Sequence, residues 1–217
     1  MTSAAALHLN QSIPSAPTPT SERVNVKSDR LLPVADAPVW ENTDRPPVVW
    51  LVGAHGGAGT TTLATSWAPA AETGGVWPAA DKYPYVVIVC RSHLAGLERA
   101  HELALQAKGG LAGNCQLLGV AVVADAPGKL PKILRQKIEV IGAAVSRLWE
   151  IPWLPALRET SLAELPEWNP QDGPAELQTR HPLRRARIAP MTKVDQHLAY
   201  AGEGIFKAAR NAHSLHA

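Results

Sequence analysis

The sequence predicts an α/β protein: a three-layer sandwich around a short, mostly parallel sheet of about four or five strands. Three observations predict it. Apolar runs of strand length are unbroken, so the strands they form are covered on both faces. Segments of helical period separate them, which is the alternation that builds parallel sheets. A glycine-rich turn, "AHGGAG" at 54–59, joins the first apolar run to the first helical one.

The elements follow in order. "VVWLVGA" (48–54) reads as a buried strand and "TTTLATSWA" (60–68) as a short helix. "YVVIVC" (85–90) is a second strand, unbroken and rich in β-branched residues. Residues 94–107 carry Leu94, Leu97, Ala100, Ala104 and Leu105 along one helical side. "CQLLGVAVVA" (115–124) is a third strand, and residues 131–147 form a helix striped by Leu134, Ile138, Ile141 and Val145. "LWEIPWL" (148–154) gives a short last strand ending at Pro152. The stretch between Trp67 and Tyr85 reads as a connection too short for further elements.

The chain of 217 residues suffices for one sizeable domain with tails. Residues 1–45, rich in Pro, Ser and Thr without a sustained period, are expected to be a disordered leader. The folded domain spans 46–165, opening at Pro46-Pro47. Residues 166–217 read as a turn-rich linker and a basic tail with a weak helix at 193–210, on which Val194, Leu198, Ala201, Ile205 and Ala208 share a face while Gly202 and Gly204 weaken it.

The formal charge of +2 implies no strong polyanion affinity by itself. Cys90 and Cys115 offer neither a disulfide framework nor zinc spacing, which suits a reducing, cytoplasmic setting. No apolar run approaches the roughly 20 residues that cross a bilayer, so no membrane partner is expected. The N-terminus lacks the pattern of a signal peptide.

Ala54 to Thr61 fit the phosphate-loop pattern [AG]-x4-G-K-[ST] except at one position, where Thr60 stands for the lysine. Glycines let successive N–H groups curl around an anion. The start of the following helix adds partial positive charge. The candidate phosphate ligands are therefore Gly56, Gly57, Ala58, Gly59, Thr60, Thr61 and Thr62, with the Thr61 hydroxyl placed for Mg²⁺, and His55, which either contacts the phosphate or only packs on or hydrogen-bonds to the loop. Loss of the lysine removes a charge-assisted hydrogen bond of about 1.5–3 kcal/mol. Binding is weakened by one to two decades, and phosphoryl transfer, which depends on charge neutralisation, suffers more.

These residues resemble the deviant Walker A loop of the ParA/MinD family of P-loop ATPases, G-K-G-G-x-G-K-[ST]-T. The family's signature lysine falls on His55 and its Walker lysine on Thr60; its Mg²⁺ hydroxyl falls on Thr61. "QLLGVAVVADAP" is similar to the family's late strand before the adenine-reading loop, with Ala124 and Asp125 where an Asn is usual. "IPWLPALRE" is similar to the segment that passes near the base. The resemblance implies ATP or another nucleotide with Mg²⁺ as cofactor, and a homodimer or protein partner. It also implies carboxylates after two early strands, and "YVVIVC" ends in Cys90 and Arg91 instead. The chain thus resembles a shortened, degenerate member, of a kind similar to proteins of actinobacteria. It has no assigned catalytic residue, and the reading is a regulatory or partner-binding module with little or no hydrolysis. An interaction scaffold without ligand, or an ATPase completed by a second protomer, are the alternatives.

Ligands of open α/β sheets sit beyond the carboxyl ends of the strands, which gathers the loops at 54–60, 90–93, 124–129 and 152–155. Arg91 and Lys129 are the candidate phosphate cations, or else solvated loop charges. Asp125 is a candidate acceptor for a base amino group, or else a turn cap before Pro127-Gly128. His93 and His101 read as helix-start and helix-face residues. Trp50, Trp149 and Trp153 read as packing residues, and Trp77 as a lid over the sheet or a base-stacking ring. The basic segment 180–187 is the candidate contact for a nucleic-acid backbone.

Overall fold

The computed structural model describes residues 30–39, 46–79, 83–173 and 191–215. Strands β1 (Val49–Gly53), β2 (Ala70–Glu72), β3 (Tyr85–Arg91), β4 (Gln116–Val123) and β5 (Leu148–Ile151) form one sheet in the order β2-β1-β3-β4-β5. Every pairing is parallel. Helices α1 (Thr60–Ser66) and α4 (Gln196–Ser214) cover one face, and α2 (Leu94–Lys108) and α3 (Lys132–Ala144) the other. Val49, Leu51, Val87 and Val89 face the first pair; Trp50, Val52, Val86 and Ile88 face the second. A strand buried on both sides cannot alternate in polarity, which is why these runs are unbroken.

The segment 68–84 is more than a connection. It contains β2, a three-residue edge strand in register with Val49 to Leu51. So short a strand, two alanines and a glutamate, has no periodicity to detect. On α2, Leu103 is buried and Leu94 is exposed, which moves the buried stripe from the expected one.

The ordered body extends past both expected boundaries. Residues 30–39 run along α2: the Leu32 amide donates to Gln106 Oε1 at 2.9 Å, and Gln106 Nε2 donates to the Leu32 carbonyl at 2.7 Å. Val34 bridges to Trp77, a fully buried ring in the α2/α3 core and so neither lid nor stacking platform. Trp168, expected in a linker, pairs with Trp67 and packs into the α1/α4 core.

Helix α4 is a core element rather than a weak helix in a tail. Leu198, Ala201, Ile205 and Ala208 are buried, the face that the spacing predicts. Its glycines have a packing reason. A Cβ on Gly202 would lie 2.8 Å from Trp67 Nε1 and 2.9 Å from Trp168 Cζ3, and one on Gly204 would lie 2.7 Å from Trp149 Nε1. The helix gives up intrinsic propensity so that three indoles can pack against its backbone. Residues 1–29, 40–45 and the basic segment 180–187 lie outside the described residues.

Candidate functional site

The strand order reverses at β1. The chain steps from β1 to β2 on one side, then crosses to β3 on the other. In an open parallel sheet such a reversal leaves a crevice at the carboxyl ends of the two diverging strands. The loop after β1 is the glycine loop, and β3 ends at Arg91.

Gly57 and Gly59 adopt φ of +78° and +103°, a left-handed geometry that glycine alone enters freely. The Ala58 amide donates back to the His55 carbonyl at 3.2 Å, and its methyl is buried, so Ala58 closes the turn and is not an anion donor. Among the described residues, no backbone acceptor pairs with the amides of Gly56, Gly57, Gly59 or Thr60 to Thr62. Helix α1 has only seven residues, so its dipole adds little. The groups at the loop with donors to offer an anion are these amides and Arg91.

Arg91 spans the crevice. Its Nε–H donates to the Gly57 carbonyl and its Nη1–H to the Ala124 carbonyl, both at 3.2 Å. Nη2 lies 3.9 Å from where a Gly59 Cβ would stand. The guanidinium has five N–H donors, so three remain for an anion in the loop. Lys129 is placed differently. It lines a neighbouring cavity of about 810 Å³ with Arg135 and Glu139, and it does not line the cavity beside the loop. Of the two candidate cations, the fold brings only Arg91 to the glycines.

His55 is a strut. Its Nδ1 lies 2.9 Å from the Gly56 carbonyl and its Nε2 accepts the Arg91 amide at 3.2 Å. This network assigns the proton to Nδ1 and engages both ring nitrogens, leaving no N–H for a phosphate. His93 packs on it with ring centroids 4.8 Å apart, and accepts the Gly96 amide as the cap of α2. Gly96, unmarked by the sequence reading, is what admits this approach: a Cβ there would lie 2.8 Å from both His55 Nε2 and the Arg91 carbonyl.

A second residue was missed. Glu72, at the end of β2, accepts hydrogen bonds from the Thr60 hydroxyl at 3.0 Å and the Thr61 hydroxyl at 2.8 Å. The stretch between Trp67 and Tyr85, expected to be only a connection, thus brings a carboxylate to the loop. The only signal in the sequence was an acid between alanines and "TGG". Thr61 and Glu72 present hard oxygen donors of the type Mg²⁺ takes when phosphates complete its shell. Thr62, one turn position on, lines the cavity instead.

That cavity, about 380 Å³, falls in the range of small-molecule sites. The β1 and β3 loops contribute His55, Gly56, Gly57 and Arg91; the β4 and β5 loops contribute Asp125, Pro152, Trp153 and Arg158. The Asp125 amide donates to Ser92 Oγ at 2.9 Å, which ties the β4 loop to the β3 loop. Arg158 lies over the Trp153 ring, 5.7 Å from its centroid, so Trp153 walls the cavity besides packing. Among the described residues, no cluster of His, Cys, Asp and Glu could hold a metal on its own. No helix among them is long and apolar enough to cross a membrane.

Fold and site together define a parallel three-layer α/β protein with a glycine loop at the reversal point of its sheet. Residues 47–169 match a family of unknown function (DUF6668), and the chain belongs to that family. No curated protein and no solved structure matches it.

Proposed function

We propose that the chain is a shortened relative of the ParA/MinD-like P-loop ATPases that binds a nucleotide with Mg²⁺ through its glycine loop and hydrolyses it slowly or not at all. Its output is regulatory, through a protein partner or a second copy, in the cytoplasm. One observation carries the reading: the Arg91 guanidinium is fixed across the loop at Gly57 and Ala124, a full positive charge beside unpaired loop amides. It stands in for the lysine that Thr60 replaces. Glu72 and the Thr61 hydroxyl supply the oxygen donors on which a phosphate-bound Mg²⁺ would rest. The basic segment 180–187 is the proposed contact should the partner be a nucleic acid.

The test is thermal stabilisation of the purified chain by ATP and GTP, with and without Mg²⁺, beside released phosphate. Binding raises the melting temperature by mass action. Without Mg²⁺ the Glu72 carboxylate repels the phosphates, so stabilisation should appear chiefly with the metal. Glu72→Gln should bind in the absence of Mg²⁺ about as well as in its presence. No shift at millimolar nucleotide would leave an interaction scaffold as the better reading. Turnover at the rates of efficient ATPases would refute the slow-hydrolysis half.

A further inference from the structure

We propose that the cavity selects guanine over adenine; the inference rests on the reading of the glycine loop as a nucleotide phosphate site. The side chains the β4 and β5 loops bring to that cavity carry it. Asp125 is set in place from two directions: its amide donates to Ser92 Oγ at 2.9 Å, and the carbonyl just before it is held by Arg91 Nη1 at 3.2 Å. Its carboxylate accepts no hydrogen bond from any described residue and borders the cavity. The same cavity is lined by Trp153, an aromatic wall, and by Arg158, whose guanidinium carbon lies 5.7 Å from the centroid of that ring.

The donor and acceptor pattern decides the base. A carboxylate only accepts, and a guanidinium only donates. Guanine offers N1–H and N2–H side by side, two donors for one carboxylate, and O6 and N7 as neighbouring acceptors for an arginine. Adenine reverses both edges in part. Its N1 lone pair would face one carboxylate oxygen, and its N6 amino group would face the guanidinium. Cytosine carries the same mismatch at N3, and uracil offers a single N–H between two carbonyls. Trp153 favours any base by stacking, so it adds affinity without choosing.

The experiment is calorimetric titration of the full chain with GTP, ATP and xanthosine triphosphate in Mg²⁺. GTP should bind about 10- to 100-fold tighter than ATP, the discrimination of one good bidentate pair. Xanthine has a carbonyl in place of the 2-amino group, so it needs a donor where guanine needs an acceptor. Asp125→Asn should therefore lose GTP and gain xanthosine triphosphate by a similar factor, a gain that an unfolded variant cannot show. Equal affinity for GTP and ATP, or tighter ATP, overturns the guanine proposal and leaves the nucleotide reading standing. GTP binding that is unchanged in Asp125→Asn overturns it too. Failure of all three nucleotides to bind overturns both.

Discussion

Arg91→Ala separates a structural strap from a ligand-binding cation. In the free protein the side chain makes two hydrogen bonds of 3.2 Å, to carbonyls on two different loops. A bond of this kind contributes about 0.5–1.5 kcal/mol net, and the half-buried site favours the lower part of that range. The free protein should therefore lose about 1–2 kcal/mol, a fall of a few degrees in Tm for a chain of this size. Ligand binding loses more. A charged donor to a phosphate is worth about 1.5–3 kcal/mol, which is one to two decades in Kd. Calorimetry of Mg²⁺-GTP and Mg²⁺-ATP beside the Tm of the free protein reads both quantities. Arg91→Lys keeps the charge and cannot span both carbonyls, so it should recover part of the affinity and little of the Tm. A lowered Tm with an unchanged Kd would refute the assignment of Arg91 as the phosphate cation.

Two further predictions concern the core. Gly202→Ala should destabilise by about 1–3 kcal/mol in urea unfolding, although alanine is the better helix former by about 1 kcal/mol, because its methyl would sit 2.8 Å from Trp67 Nε1 and disturb that indole's hydrogen bond to the Leu198 carbonyl; a more stable variant would refute the packing explanation. Burial pushes the Cys90 thiol up to about 12 and the Cys115 thiol up to about 11, from 9.0. The unfolded chain then loses its thiol protons first, so stability is intact below about pH 9 and falls as pH rises toward 12. Urea midpoints should decline over that window, and Cys90→Ala should flatten the decline; a flat wild-type profile would contradict the burial effect.

The parallel sheet was legible because burial on both faces writes itself as unbroken apolar runs. The α4 face was legible for the same reason: Leu198, Ala201, Ile205 and Ala208 recur at helical spacing. Its importance was not, because Gly202 and Gly204 lower local propensity, and only the fold reveals the indoles that require them. At the site, the glycine loop was legible as a local pattern, and Arg91 and Asp125 followed from the rule that ligands sit at strand ends. Lys129 followed from the same rule and lines a neighbouring cavity instead, since the rule gathers loops without saying which cavity a side chain borders. Glu72, His55 and Gly96 needed three dimensions. Each acts through a contact with a residue from another element, and such pairs leave no spacing to read.

Glu72 changes how the missing lysine is weighed. Read along the chain, Thr60 is one of several losses: both loop lysines are gone, and β3 ends without a carboxylate. In the fold, a cation reaches the loop from the end of β3 and a carboxylate from the end of β2, so both charges return from different strands. The proposed site keeps what binding needs. It differs in mobility. A lysine is a flexible point charge that can follow charge as it develops, whereas Arg91 is tied to two carbonyls before any ligand arrives. A cation that grips ground state and transition state alike lowers Kd without raising kcat. On the proposed reading, exchanging a mobile lysine for a tethered arginine favours holding a nucleotide over turning it over, as a regulatory module requires.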